Sequence, residues 1–201
     1  MDLLTKPESA GSESLTVTVL VTAALEALGI PYVIGGSMAS AVYGLARATM
    51  DVDVVVDLRE EQVAPLVASL GTDFYADPLS IRDAIAGRAS CNLIHLPTMF
   101  KIDLFMVGDR AWDRQQLARK QRRSLDSADG PAAEVASAED VILAKLDWYR
   151  LGNQVSDRQW RDVLSIIAVQ GERLDQSYLM FYAESLGVAD LLRRALEDAK
   201  R

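Results

Sequence analysis

The sequence predicts an α+β fold in which a mixed β-sheet flanked by helices is followed by a C-terminal helical bundle. Three observations predict it. Short β-branched runs alternate with helical segments up to about residue 107. Acids alternate with valines at the start of Asp51–Leu58, DVDVVVDL, which is the two-residue period of a strand. From residue 137 onward the segments read as helices. A chain of 201 residues suits one compact domain, or one domain with a helical extension.

In chain order, residues 1–12 are polar, with Pro7, Gly11 and several serines, and are expected to form a loose tail. Residues 13–28 have the apolar face of a helix, with Gly29 as its C-cap. Tyr32-Val33-Ile34 is a short buried strand that ends at Gly35-Gly36, and residues 37–46 follow as a helix with Ser37 as N-cap. After the strand at 51–58 come a helix over 60–70, a short strand at 74–76 and a helix over 78–88. Ser90–Leu96 and Lys101–Val107 are two further strands. Residues 109–123 form a basic helix candidate, and 124–136 hold a turn at Asp129-Gly130-Pro131. Helices are then expected at about 137–151, 156–170, 175–186 and 188–199. The expected division is a sheet-containing domain over 13–125 and a helical region over 137–201.

Composition narrows the function classes. Half the residues are hydrophobic and the formal net charge is −8, which disfavours non-specific coating of nucleic acid, since phosphate contacts need Lys and Arg. The lone Cys91 allows no internal disulfide and fits a reducing compartment. The N-terminus has no long apolar run, so neither a signal peptide nor a membrane span is expected, and the protein is expected to be cytoplasmic.

The chemistry concentrates in carboxylates. Residues i and i+2 of a strand share a face, so Asp51 and Asp53 project together, about 7 Å apart along the strand. Two close carboxylates repel and are costly to desolvate without a cation. A hard divalent ion such as Mg²⁺, or Mn²⁺ in its place, resolves this with carboxylate, phosphate and water oxygens. Asp103 is the lone acid in KIDLFMV and is unlike a residue buried alone. If its strand neighbours the first, three acids converge. The competing reading of a D-x-D pair is a solvated strand end. Gly35-Gly36-Ser37 leads from a strand into a helix, a place where backbone amides and a helix N-terminus favour phosphate, although a plain strand-to-helix turn reads the same way.

Gly35-Gly36-Ser37, then Gly44, Arg47 and Thr49, then Asp51-Val52-Asp53 together resemble the signature of the DNA polymerase β-like nucleotidyltransferase superfamily. The pattern is most similar to its AbiEii-type branch of toxin nucleotidyltransferases. Lys101-Ile102-Asp103 resembles the strand that carries that family's third acid. Glu139-Asp140, Lys145 and Arg161-Asp162 resemble a helical element of the same branch. The resemblance implies a nucleotidyltransferase-like fold and Mg²⁺-dependent transfer of a nucleotide from a nucleoside triphosphate such as ATP to a hydroxyl, with release of pyrophosphate. It implies triphosphate contacts from Gly35, Gly36 and Ser37; Arg47 and Thr49, just before the acids, are further nucleotide-binding candidates, with Arg47 placed either to pair with a phosphate or to brace Asp51. Metal binding falls to Asp51, Asp53 and Asp103, the last as ligand or base. Lys145 neutralises phosphate charge and Asp162 orients it. The family's acceptors range from antibiotics to tRNA ends and proteins, and the resemblance does not fix which; the leading expectation is a toxin acting on RNA, such as a tRNA, with a cognate antitoxin as partner.

The residues alone leave other readings open. Lys145 borders an apolar stripe and can snorkel to water. Asp162 is placed for a helix salt bridge with Arg158. The cluster Arg110, Arg114, Arg119, Lys120, Arg122 and Arg123 serves either RNA phosphates or a solvated helix face. Trp148 and Trp160 are expected in the core of the helical half. A small-molecule nucleotidyltransferase of antibiotic-resistance type and a non-catalytic nucleotidyltransferase-like module remain the alternatives.

Overall fold

The computed structural model describes residues 9–45, 49, 51–126 and 130–200. Arg47 and Asp129 lie outside the described residues, as do residues 1–8 of the expected tail.

The first half alternates helix and strand: α1 (Ser9–Ala27), β1 (Tyr32–Ile34), α2 (Gly36–Tyr43), β2 (Asp51–Val56), α3 (Glu60–Leu70), β3 (Phe74–Tyr75), α4 (Pro78–Gly87), β4 (Ser90–His95) and β5 (Phe100–Met106). Then come α5 (Ala111–Ala118), β6 (Gln121–Ser124) and β7 (Ala132–Val135). The chain closes with α6 (Ala138–Leu151), α7 (Asp157–Gln170), α8 (Gln176–Ser185) and α9 (Ala189–Asp198). Capping residues at three of these helices are readable in the sequence. Ser137, Ser156 and Asp175 each accept a backbone N–H in the first turn of α6, α7 and α8, an arrangement worth about 1 kcal/mol apiece.

The strands form one seven-stranded mixed sheet in the order β3-β4-β5-β2-β1-β7-β6. β2 runs parallel to β5 and antiparallel to β1, and β4 runs antiparallel to β5. Val52, Val54 and Val56 of β2 and Ile102, Leu104 and Met106 of β5 are buried. They meet a layer in which α1, α3 and α4 pack together, with Val21, Leu25, Leu66 and Ile81 in the core. The odd-numbered face of β2 and β5 is only half-buried. Periodicity alone thus divides an apolar face from a face left for chemistry.

Three expectations need correction. α1 begins at Ser9, so residues 9–12 continue the helix rather than the tail; once the apolar turns nucleate, the hydrogen-bond ladder extends cheaply over polar residues. The N-cap of α2 is Gly35, with Ser37 inside the first turn. The segment expected as a basic helix and a turn contains α5 followed by the hairpin β6–β7. β7 is too short to show a convincing alternation, and β6 is a polar edge strand, QRRS, whose arginines suit an unpaired edge. β7 lies parallel to β1 and places α6 beside α2.

Candidate active site

Register brings the acids together. In the parallel β2–β5 pair, Asp53 stands opposite Asp103 and Asp51 opposite Lys101. Neighbouring strands lie about 4.8 Å apart, so Asp53 and Asp103 are side by side on one face, with Asp51 two residues along. The Thr49 hydroxyl donates to a carboxylate oxygen of Asp51 at 3.0 Å and also to its carbonyl, which fixes the direction of that side chain. Asp103 accepts the Lys101 ammonium at 2.7 Å on Oδ2, while its Oδ1 is buried without a hydrogen-bond partner among the described residues.

The glycine turn fits against this cluster. The Gly35 N–H donates to the Asp53 carbonyl at 2.9 Å, extending the sheet by one bond. Gly36 has φ +55°, and a Cβ built there would lie 1.7 Å from Asp53 Oδ2. Both the left-handed backbone and the approach of the carboxylate require glycine. The start of α2 is thereby held directly against Asp53, with Ser37 buried in its first turn.

Lys145 lies opposite, on α6. It is buried, and its ammonium donates to Asp162 Oδ2 of α7 at 2.8 Å. Asp162 thus pairs with Lys145, not with Arg158 on its own helix. Pairing rather than snorkelling is what allows the lysine to remain inside.

Gly35, Gly36, Ser37, Asp51, Asp53 and Lys145 line one cleft of about 740 Å³. Asp103, Thr49 and Asp162 stand outside its lining and reach it through Asp53, Asp51 and Lys145 respectively. Arg110, named in the sequence only as part of the basic cluster, and two acids that sequence reasoning did not place at the site complete the wall. Arg110 bonds both Asp113 and Asp147, the latter at 2.7 Å, and all three line the cleft. Trp148, expected in the core, is instead 54% exposed at the cleft. Helical spacing cannot tell a core face from a cleft face, and the one available signal was its position one turn after Lys145. Trp160 is half-buried, with Arg194 stacked over its ring. Glu139 and Asp140 are buried ties rather than cleft residues. Asp140 accepts from Trp112, Tyr178 and Ser137, and Glu139 pairs with Arg119.

The electrostatics follow from this crowding. Burial, then the negative charges of Asp51 and Asp103, push Asp53 up to about 6, against partial relief from Lys145 and Lys101. Lys101 is held above its usual value, chiefly by its hydrogen bond to Asp103. A carboxyl with a raised folded-state value is protonated in both states below pH ~4. Between ~4 and 6 the unfolded chain ionises first, so stability falls as pH rises through that window and the deficit persists above it. The stability difference between wild type and Asp53→Asn, measured by urea unfolding, is therefore expected to grow from pH 4 to pH 6. A flat difference would contradict the assignment.

Among the described residues no group of three or more His, Cys, Asp or Glu side chains stands ready to hold a metal ion, and Asp103 is bonded to Lys101. The donor set nevertheless fits a divalent cation: carboxylates in register, one of them resisting ionisation, and an orphaned buried acceptor on the third.

No protein-family profile and no curated protein sequence matches the chain. Among solved structures, the chain is similar to ANT(2'')-Ia in complex with adenylyl-2''-tobramycin, at 13% identity and a TM-score of 0.53, over 94% of this chain and 99% of that one. The fold is nucleotidyltransferase-like. An antigenic nucleotidyltransferase-like protein from Paracoccidioides brasiliensis aligns at 17% identity and a TM-score of 0.49, over 94% of each chain. No helix among the described residues is long and apolar enough to cross a membrane.

Proposed function

We propose that the chain is a nucleotidyltransferase that moves a nucleotide from a nucleoside triphosphate to a hydroxyl acceptor. The observation that carries this reading is the register of Asp53 with Asp103, beside Asp51 and against the Gly35-Gly36-Ser37 turn. The acceptor oxygen attacks the α-phosphorus, its bond to the β-phosphate oxygen breaks, and pyrophosphate leaves with the electron pair. Mg²⁺ bound here would supply charge neutralisation for the attacking and leaving oxygens. Asp51, Asp53 and Asp103 would hold it. The amides that open α2 would meet the phosphates, and Lys145 would add positive charge from the opposite wall. Asp103, relieved of Lys101, would take the proton of the attacking hydroxyl.

Lys101 is central to this reading because it stands where a cation is needed. Lys101→Met is expected to lower the melting temperature without metal and to enlarge the stabilisation by Mg²⁺ several-fold. A thermal-shift titration reads both, and an unchanged or smaller Mg²⁺ response would count against the role of Lys101 as a resident counter-charge.

Two acceptor classes remain in this proposal. One is an RNA acceptor, with the chain as a toxin restrained by an antitoxin, in line with the AbiEii-type resemblance, which does not itself fix an acceptor. A small-molecule acceptor is favoured by one observation. Arg110, Arg119 and Arg122 of the basic cluster are engaged with Asp113, Asp147, Glu139 and Glu26 rather than offered as a stripe for phosphates. Adenylylated tobramycin in ANT(2'')-Ia is a precedent for that class.

The test is binding of each of the four nucleoside triphosphates with and without Mg²⁺, comparing wild type with the Asp51→Ala/Asp53→Ala variant. Binding that needs both the metal and the acids supports the proposal. Absence of binding to any triphosphate would sink it. Growth arrest on expression, relieved by Asp53→Ala, would favour the toxin reading over the small-molecule one.

A further inference from the structure

Trp148 is placed unlike a structural tryptophan. The residue is 54% exposed and lines the cleft, and the ring of Phe105, also in the lining, meets its ring edge-on with centroids 6.0 Å apart. An exposed large aromatic braced by a second aromatic is a preformed surface for a flat ring, because edge-to-face contact fixes its plane. Part of the lining beside it is apolar, although Asp147, Arg158 and Gln159 also line the cleft. Ala144 and Leu151 lie a turn before and after Trp148 on α6, and Val55 is the register partner of Phe105.

Two routes place this shelf relative to the carboxylates. Along β5, Phe105 is two residues past Asp103 on the same face, about 7 Å away. Along α6, Trp148 is three residues past Lys145, a rise of about 4.5 Å. A ligand with its phosphates between Gly36 and Lys145 therefore meets the aromatic pair roughly one sugar unit away.

On the reading that the cleft binds a nucleoside triphosphate, we propose that the Trp148–Phe105 shelf receives a nucleobase, in the first instance that of the triphosphate. Every base has a π face, so stacking holds bases with little discrimination. Purines, with more ring area, bind better than pyrimidines.

The test measures binding of ATP, CTP and inorganic tripolyphosphate, each with Mg²⁺, to wild type, Trp148→Phe and Trp148→Ala. Trp148→Ala is expected to weaken ATP about tenfold or more, as loss of one base–aromatic stack does. Trp148→Phe keeps most of the affinity, and tripolyphosphate binds all three proteins alike. If ATP is unaffected but a short single-stranded RNA with a free 3′ hydroxyl loses affinity in Trp148→Ala, the base on the shelf is the acceptor's and the shelf still holds a nucleobase. Equal losses for ATP and tripolyphosphate, or no loss for ATP and RNA alike, would overturn the assignment. Failure of wild type to bind either ATP or tripolyphosphate would instead remove the nucleotide-binding reading on which it rests.

Discussion

Asp53→Asn is expected to make the protein more stable and inactive in one step. The carboxylate is held at about 6 by burial and by two neighbouring acids, so at neutral pH its charge weakens the fold. Removing the charge is expected to raise stability by about 2 kcal/mol, at 1.36 kcal/mol for each pK unit and with allowance for relaxation. The same charge is the centre of the proposed metal site. Loss of one metal-binding carboxylate is expected to cost at least about a thousandfold in turnover, or some 4 kcal/mol of transition-state stabilisation. Urea unfolding without metal and pyrophosphate release with ATP and Mg²⁺ measure the two effects. Added Mg²⁺ should stabilise wild type and leave Asp53→Asn unmoved. A variant that is destabilised, or that retains turnover, would remove Asp53 from this role.

The second large effect is at the Lys145–Asp162 pair. Both side chains are about nine-tenths buried, 8% and 11% exposed, at 2.8 Å. Asp162→Ala takes the carboxylate from a largely buried ammonium at the cleft wall. Breaking a buried pair costs about 3 kcal/mol or more, enough to shift the unfolding midpoint clearly. The double variant Lys145→Met/Asp162→Leu is expected to recover most of that stability, since well-packed apolar replacements of buried pairs are often tolerated. It should nevertheless have no transfer activity, because the positive charge facing the phosphates has gone. Recovery of activity along with stability would make the pair purely structural.

Much of this site was legible in the sequence because its chemistry uses short periods. Asp51 and Asp53 share a face through the strand repeat alone, and Asp103 was conspicuous as an acid in an apolar strand. The Gly35-Gly36-Ser37 turn was visible as punctuation between strand and helix. What strand periods cannot show is register: nothing local says that Asp53 meets Asp103, or that Lys101 meets Asp51 and turns its ammonium onto Asp103. Helical periods carry a similar blindness. Leu146 and Trp148 sit on the same helix, one fully buried and the other open to the cleft. Asp162 had Arg158 within reach on its own helix, and only the packing of α7 on α6 brought Lys145 to it. The β6–β7 hairpin was missed because a polar edge strand and a four-residue partner offer too few positions for alternation to register.

The contact between Gly36 and Asp53 also constrains the order in which a lineage could lose this site. A side chain at position 36 collides with the carboxylate at 53, so Gly36→Ala arising first would disturb the fold as well as the acids. If Asp53 is first replaced by glycine, all three atoms that crowd position 36 go, and only the left-handed backbone still resists replacement. Decay into a non-catalytic copy is therefore expected to begin at the acid and reach the glycine later. A descendant that keeps Gly36 without Asp53 would be a recent casualty, whereas one that has replaced both has had time to reshape the turn.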